Sequence, residues 1–276
     1  TKVPCQSIVK SLRNRQTFTF QRRFIVITYE YPLNEKIRTL LRLEDLYEKV
    51  LYFCASAERR EHHTALVTMF EILDVATRAD LKSELLQEME RQKQSLEILR
   101  NNPNVDVARL NQVVSDIERT STNLLAGTGK FGQHLRENEW LMGIKQRCAI
   151  PGGVSEFDLP SYHYWLNRPS ETRQKDLADW MRPILPVNDA ATIVLKLLRE
   201  SSQKSAVVAH HGVYQQVPAG RVAQMIRISL APEFECVPEI SANKYALNIR
   251  FITVGSANRP HLCERDIDFQ LSFCNL

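Results

Sequence analysis

Residues 187–217 read VNDAATIVLKLLRESSQKSAVVAHHGVYQQV, and within them the spacing of apolar residues changes its period. Up to about residue 202 the stretch reads as a helix, whereas SAVVAHHGVYQQV, from 205, reads as a strand. The change divides the chain. Beyond it Ile226, Ile228 and Leu230 alternate with Arg227 and Ser229, and Leu247, Ile249 and Phe251 alternate with Asn248 and Arg250. Ile267, Phe269, Leu271 and Phe273 alternate in the same way with Asp268, Gln270 and Ser272. A period of two marks strands of a sheet covered on one face.

Before the change the period is helical. Leu33, Ile37, Leu40, Leu41, Tyr47, Val50, Leu51 and Cys54 recur at three and four, which predicts a helix over 33–57 with Pro32 in its tolerant first turn. Further helices are predicted over about 61–77 and 79–100. The turn-forming stretch NNPNVD at 101–106 then folds 79–125 into an antiparallel hairpin. One more helix spans about 130–148, and another about 171–182. In IPGGVSEFDLP, residues 150–160, Asp158 is the expected N-cap of a short helix carrying Tyr162, His163, Trp165 and Leu166. FIVITYE at 24–30 is an expected edge strand. The predicted class is α+β: an N-terminal all-helical domain over 24–203, whose first strand is available to the sheet, then a smaller, mainly antiparallel β domain over 204–276.

Charge narrows the function. The net charge is +4, but residues 1–23 hold six of the 36 basic residues and no acid, so the other 30 face all 32 acids. The body is therefore slightly acidic, which argues against nucleic-acid binding by a basic face. The leader is Arg-rich and acid-free like a transit peptide, and is read as a disordered basic extension outside the fold. No run approaches the roughly 18 uninterrupted apolar residues that a membrane span requires.

Nothing in the sequence organises an active site. The six cysteines show no CxxC, and Cys54 and Cys274 sit in apolar periodic runs, where a thiol acts as a small hydrophobe. His261 and Cys263, with Cys236 and Cys274 in the same region, are a weak zinc signal against that buried-thiol reading. GTGKFG at 127–132 matches a dinucleotide loop literally but follows a helix instead of a strand, so it reads as a glycine stop and restart. His62 and His63 are adjacent on a helix, and His210 and His211 adjacent on an expected strand, so neither pair shares one face. No catalytic residue, metal ligand or cofactor is assigned. An enzyme with an unrecognised His/Cys site or triad is the alternative reading.

What remains is basic surface. Arg38 and Arg42 are four apart on one helix edge beside Lys36, in PLNEKIRTLLRLE at 32–44, and like charges at that spacing repel unless an acid meets them. Arg227 and Arg250 take polar strand positions and are expected on one outer sheet face, with Lys244 nearby and Asp268 as a possible counter-charge. Guanidinium forks suit an acidic peptide.

These blocks, in order, resemble the ZapD family, division factors that associate with the bacterial tubulin homologue FtsZ. The matching stretches are PLNEKIRTLLRLE, EILDV at 71–75, ELLQE at 84–88, Arg91-Gln92, GQHLRE at 132–137, Gln146-Arg147, IPGGVSEFDLPSYHYWL at 150–166 and Ile249-Arg250-Phe251. Together they cover about 25–274. The resemblance implies a cytoplasmic homodimer, recruited to the mid-cell division site, that binds the C-terminal tail of FtsZ, bundles its filaments and lowers its GTPase rate without being an enzyme. It nominates Arg42, His163 and Arg250 for the FtsZ-facing surface. Lys36, Arg38, Arg136, Lys244 and Arg227 are added for charge. Glu139 and Trp140 stand where some relatives carry basic residues.

Overall fold

The structure is a computed structural model that describes residues 26–76, 80–103, 105–127, 129–217, 223–243, 245–253 and 260–276. The fold is α+β. Two compact units divide the chain, one over Thr39–Val194 and one formed by Leu195–Leu276 with the described residues up to Arg38. The extension at 1–23 and Lys244 lie outside the described residues.

The helical elements are α1 (Glu35–Cys54), α2 (Arg59–Ala76), α3 (Leu81–Ile98), α4 (Val107–Ala126), α5 (Gln133–Arg136), α6 (Glu139–Cys148), α7 (Pro160–Leu166), α8 (Ser170–Met181) and α9 (Leu185–Glu200). In the helical unit Leu40, Val50 and Cys54 of the predicted stripe enter the core with Leu43, Leu66, Met69, Leu85 and Met89, while Leu41 and Leu51 of that stripe stay half-buried. Tyr47 is equally buried, and its hydroxyl donates to the Ile184 carbonyl at 2.8 Å, so its one polar group is satisfied. A second packing centre is aromatic. The rings of Trp140, Tyr162, Trp165 and Trp180 meet edge-on, stacked or tilted at 5.8 to 6.2 Å between centroids.

Local chemistry moves several predicted boundaries. Pro32 ends a strand instead of starting a helix; α1 begins at Glu35, where Asn34 Oδ1 accepts the Ile37 N–H at 2.8 Å. The helix expected over 130–148 is two, because Asn138 leaves helical geometry and caps α6 by accepting from Leu141. The helix does stop at Gly127, but in extended geometry at φ −65°; the left-handed glycines of GTGKFG are Gly129 and Gly132, at φ 80° and 64°, and the latter restarts the chain. Asp158 does not cap α7. Its carboxylate accepts from Ser155 Oγ at 2.8 Å and pairs with Arg147, and the cap position falls to Leu159 with Pro160 as the first helical residue.

The other unit holds β1 (Ile27–Pro32), β2 (Lys204–Ala209), β3 (Val213–Gln216), β4 (Met225–Leu230), β5 (Cys236–Ala242), β6 (Leu247–Thr253) and β7 (Ile267–Cys274). They form two antiparallel sheets, β1-β4-β7-β2 and β3-β6-β5. β1 is an edge strand, as its sequence predicted. Alternation works as expected: Ile226, Ile228, Leu247, Ile249, Ile267 and Leu271 point into one shared core. Phe251 and Tyr214 of the smaller sheet lie 5.0 and 5.4 Å from the Phe269 ring of the larger, so the sheets pack face to face.

The stretch 205–217 is not one strand. Gly212 turns at φ 71° between β2 and β3, sending them to different sheets. His210 and His211 therefore do not alternate along a strand. Both sit at this turn on one carboxylate: the His211 N–H donates to Asp266 at 2.9 Å, and His210 Nδ1 meets it at 3.0 Å. These two contacts, the backbone donor first, hold the Asp266 pKa below the usual carboxylate value.

Candidate functional site

A pocket of about 260 Å³ opens in the helical unit between the start of α2 and α7. Arg59, Arg60, His63 and His163 line it with Val154 and Leu166; the buried Tyr162 and Asn167 complete the wall. No carboxylate is part of this lining.

The pocket is held open by buried polar groups. Arg173, nearly excluded from solvent, donates to the carbonyls of Ala57, Leu166 and Arg168 and, through Nε, to His62 Nδ1 at 2.9 Å. It thereby ties the start of α2 to the end of α7. His62 must carry its proton on Nε2, because that atom faces the Ser56 carbonyl at 2.7 Å while Nδ1 accepts from arginine. Burial first, then the Arg173 charge, push its pKa down. Burial also lowers that of His63, whose Nδ1 shares a 2.7 Å hydrogen bond with the Tyr162 hydroxyl.

The rim comes from the loop IPGGVSEFDLP. Gly152 takes φ 71°, and a side chain at Gly153 would fall 2.5 Å from the Arg147 carbonyl, so this turn needs its second glycine. The loop brings Glu156 within 3.7 Å of His163 Nε2 and leaves Phe157 82% exposed. His163 is itself exposed, so it does not pack beside the buried Trp165. Arg59 donates to Asn167 at 3.0 Å; Arg60 has no side-chain partner among the described residues.

The other nominated residues fall elsewhere. Arg42 lines a groove of about 340 Å³ between α1 and α2 with Asp45, Leu46, Glu71, Asp74 and Val75. Lys49 pairs with Asp45 and Lys145 with Asp74, while Arg42 is exposed and ion-paired to none of these acids. Arg136 donates to the carbonyls of Phe131 and Leu73, fastening α5 to the end of α2. Arg38 is met by Glu35 at 3.0 Å, so the like charges of α1 are partly neutralised within the helix. Lys36 also lies in its first turn.

Arg227 and Arg250 do not share a sheet face, since β4 and β6 belong to different sheets. Nor is Asp268 the counter-charge. Glu30, directly opposite Arg227 across β1 and β4, lies 2.9 Å from its Nε and takes two bonds from Arg199 at 2.8 and 2.7 Å. Arg250 is exposed opposite Glu239, without an ion pair among the described residues. The weak zinc signal does not assemble: among the described residues no three His, Cys, Asp or Glu side chains form a metal-sized group, and Cys236, Cys263 and Cys274 are buried free thiols. Sequence reasoning set His63 aside as one of an adjacent pair and missed Arg59 and Arg60. The only available signal was their position at a helix start, and their partner surface lies about a hundred residues away in α7.

Helices in one unit and two packed antiparallel sheets in the other define an α+β protein. A family model described as ZapD, cell division protein, matches residues 41–250. The chain is 56% identical over 251 residues to the cell division protein ZapD of Aromatoleum aromaticum, covering 91% of this chain and 98% of that one. It is 55% and 54% identical to the proteins of that name in Azoarcus sp. and Dechloromonas aromatica, over 91% of this chain and the whole of theirs. The chain belongs to the ZapD family of cell division proteins. No helix among the described residues is long and apolar enough to cross a membrane.

Proposed function

We propose that this protein acts in cell division by binding, not by catalysis: it takes hold of the C-terminal tail of FtsZ, crosslinks and bundles FtsZ protofilaments, promotes Z-ring assembly and lowers FtsZ GTPase activity. It works in the cytoplasm as a homodimer that FtsZ recruits to mid-cell, and it needs no cofactor. The observation that carries this reading is family membership over nine-tenths of the chain. Exposed guanidinium groups at Arg42 and Arg250, unpaired among the described residues, support it, because a carboxylate binds two N–H groups of such a fork at once. A dimer held by one filament also meets the next at high effective concentration, so bundling requires two tail sites and not one strong one.

Pelleting of GTP-assembled FtsZ tests the proposal. Wild type and a variant lacking residues 1–23 are expected to bundle filaments, while Arg42→Glu and Arg250→Glu bundle less and FtsZ without its tail is not bundled. If wild type pellets nothing beyond the FtsZ control, the proposal is wrong.

A further inference from the structure

We propose that the pocket between α2 and α7 is a seat for the carboxylate of an acidic peptide side chain, gripped by Arg59 and Arg60. This rests on the FtsZ-tail reading for the identity of the peptide, but its own basis is the geometry of the pocket. The volume, about 260 Å³, is smaller than a typical drug-sized site and suits one or two side chains. Arg60 has its whole guanidinium unengaged among the described residues, and Arg59 commits one N–H to Asn167. Each guanidinium carries five donors in a planar fork that matches a carboxylate.

The surroundings favour a negative ligand. Both arginines lie in the first turn of α2, an 18-residue helix, where the positive end of the helix dipole adds to their charge, although Glu61 stands in the same turn. Glu156 lies on the rim 3.7 Å from His163 Nε2, where an incoming acid can replace it. Val154 and Leu166 give the pocket an apolar wall, and Phe157 and Tyr164, 82% and 72% exposed, stand beside Glu156 and His163 in the chain. A peptide in which an acid is flanked by apolar residues fits that mixture. The Arg42 groove is less suited to such a ligand, because Asp45, Glu71 and Asp74 line it.

The test uses two probes on the full chain: a peptide of the FtsZ C-terminal tail and hexaglutamate. Each is titrated while the ring NMR signals of His63 and His163 are followed, in wild type, Arg60→Glu and the control Arg182→Glu, whose arginine is exposed and outside the pocket. Both Arg60 and Arg182 are on the surface, and circular dichroism checks that each variant is folded. Binding to the pocket shifts both rings in wild type and in Arg182→Glu, and is at least about tenfold weaker in Arg60→Glu, as loss of a charge-assisted bond requires. If hexaglutamate shifts the rings in this Arg60-dependent way and the tail peptide does not bind, the pocket stands and the FtsZ reading falls. If the tail binds wild type and both variants alike without moving these rings, the FtsZ reading stands and the pocket is refuted. Rings unmoved by either probe, or moved equally in Arg60→Glu, also overturn it.

Discussion

His62 is wholly buried and holds its single proton in one place, between a carbonyl that can only accept and a guanidinium that can only donate. A second proton would fall on Nδ1, facing the Arg173 N–H, which breaks that bond and sets two positive charges together. The folded-state pKa is therefore depressed, and that of His63 with it. Their contribution to stability is fully present above the unfolded value, about 6.5, and is lost as pH falls through the depressed folded values. The urea midpoint of wild type is expected to fall between pH 7.5 and 5.5, and that of His62→Gln to fall less; equal slopes would show that His62 is not the titrating group. Residue scale is also where the sequence was least informative. Arg38 and Arg42 look alike in PLNEKIRTLLRLE, yet Glu35 pairs with the first while the second stays exposed. Arg227, expected on an outer sheet face with Asp268 as its counter-charge, is one of two arginines on Glu30, 197 positions away along the chain.

At the scale of elements, boundaries are decided by a few polar or flexible residues. Asn34 and Asn138 accept first-turn N–H groups and so set where α1 and α6 begin, while Asp158, predicted to do the same, spends its carboxylate on Ser155 and Arg147. Both side chains suit a cap, and which bond wins depends on neighbours that a periodicity does not contain. Gly212 is the clearest case of a backbone requirement. It turns the chain from one sheet to the other at φ 71°, and an added Cβ would lie 2.3 Å from the Cys263 carbonyl oxygen. Gly212→Ala combines an unfavourable φ with a backbone collision, so a loss of about 2 kcal/mol or more is expected in denaturant unfolding. An unchanged midpoint would mean that the turn relaxes without cost. The alternating strands Ile226–Leu230, Leu247–Phe251 and Ile267–Phe273 were legible because every second residue enters the core. That they divide between two sheets was not, since alternation specifies a covered face but not which strand lies alongside.

For the whole molecule, the proposed crosslinking makes a demand on mass. A particle that bridges two filaments carries two tail sites, so sedimentation of the protein alone is expected to give twice the 31.9 kDa of one chain at concentrations where bundling occurs. A single-chain mass under those conditions would remove the proposed route to bundling. By itself the sequence determined the α+β class, the succession of a helical part and a β part, and membership of the ZapD family, because these follow from repeated patterns that many residues reinforce. Only the tertiary structure decided which charges are neutralised, which sheet each strand joins, and that Arg59, Arg60 and His163 line one pocket. Those outcomes depend on single contacts such as Arg173 to His62 or Glu30 to Arg199, between residues more than a hundred positions apart. The physical reason is range: periodicity records what each segment buries, while a salt bridge or a pocket records which distant side chain arrives within about 4 Å.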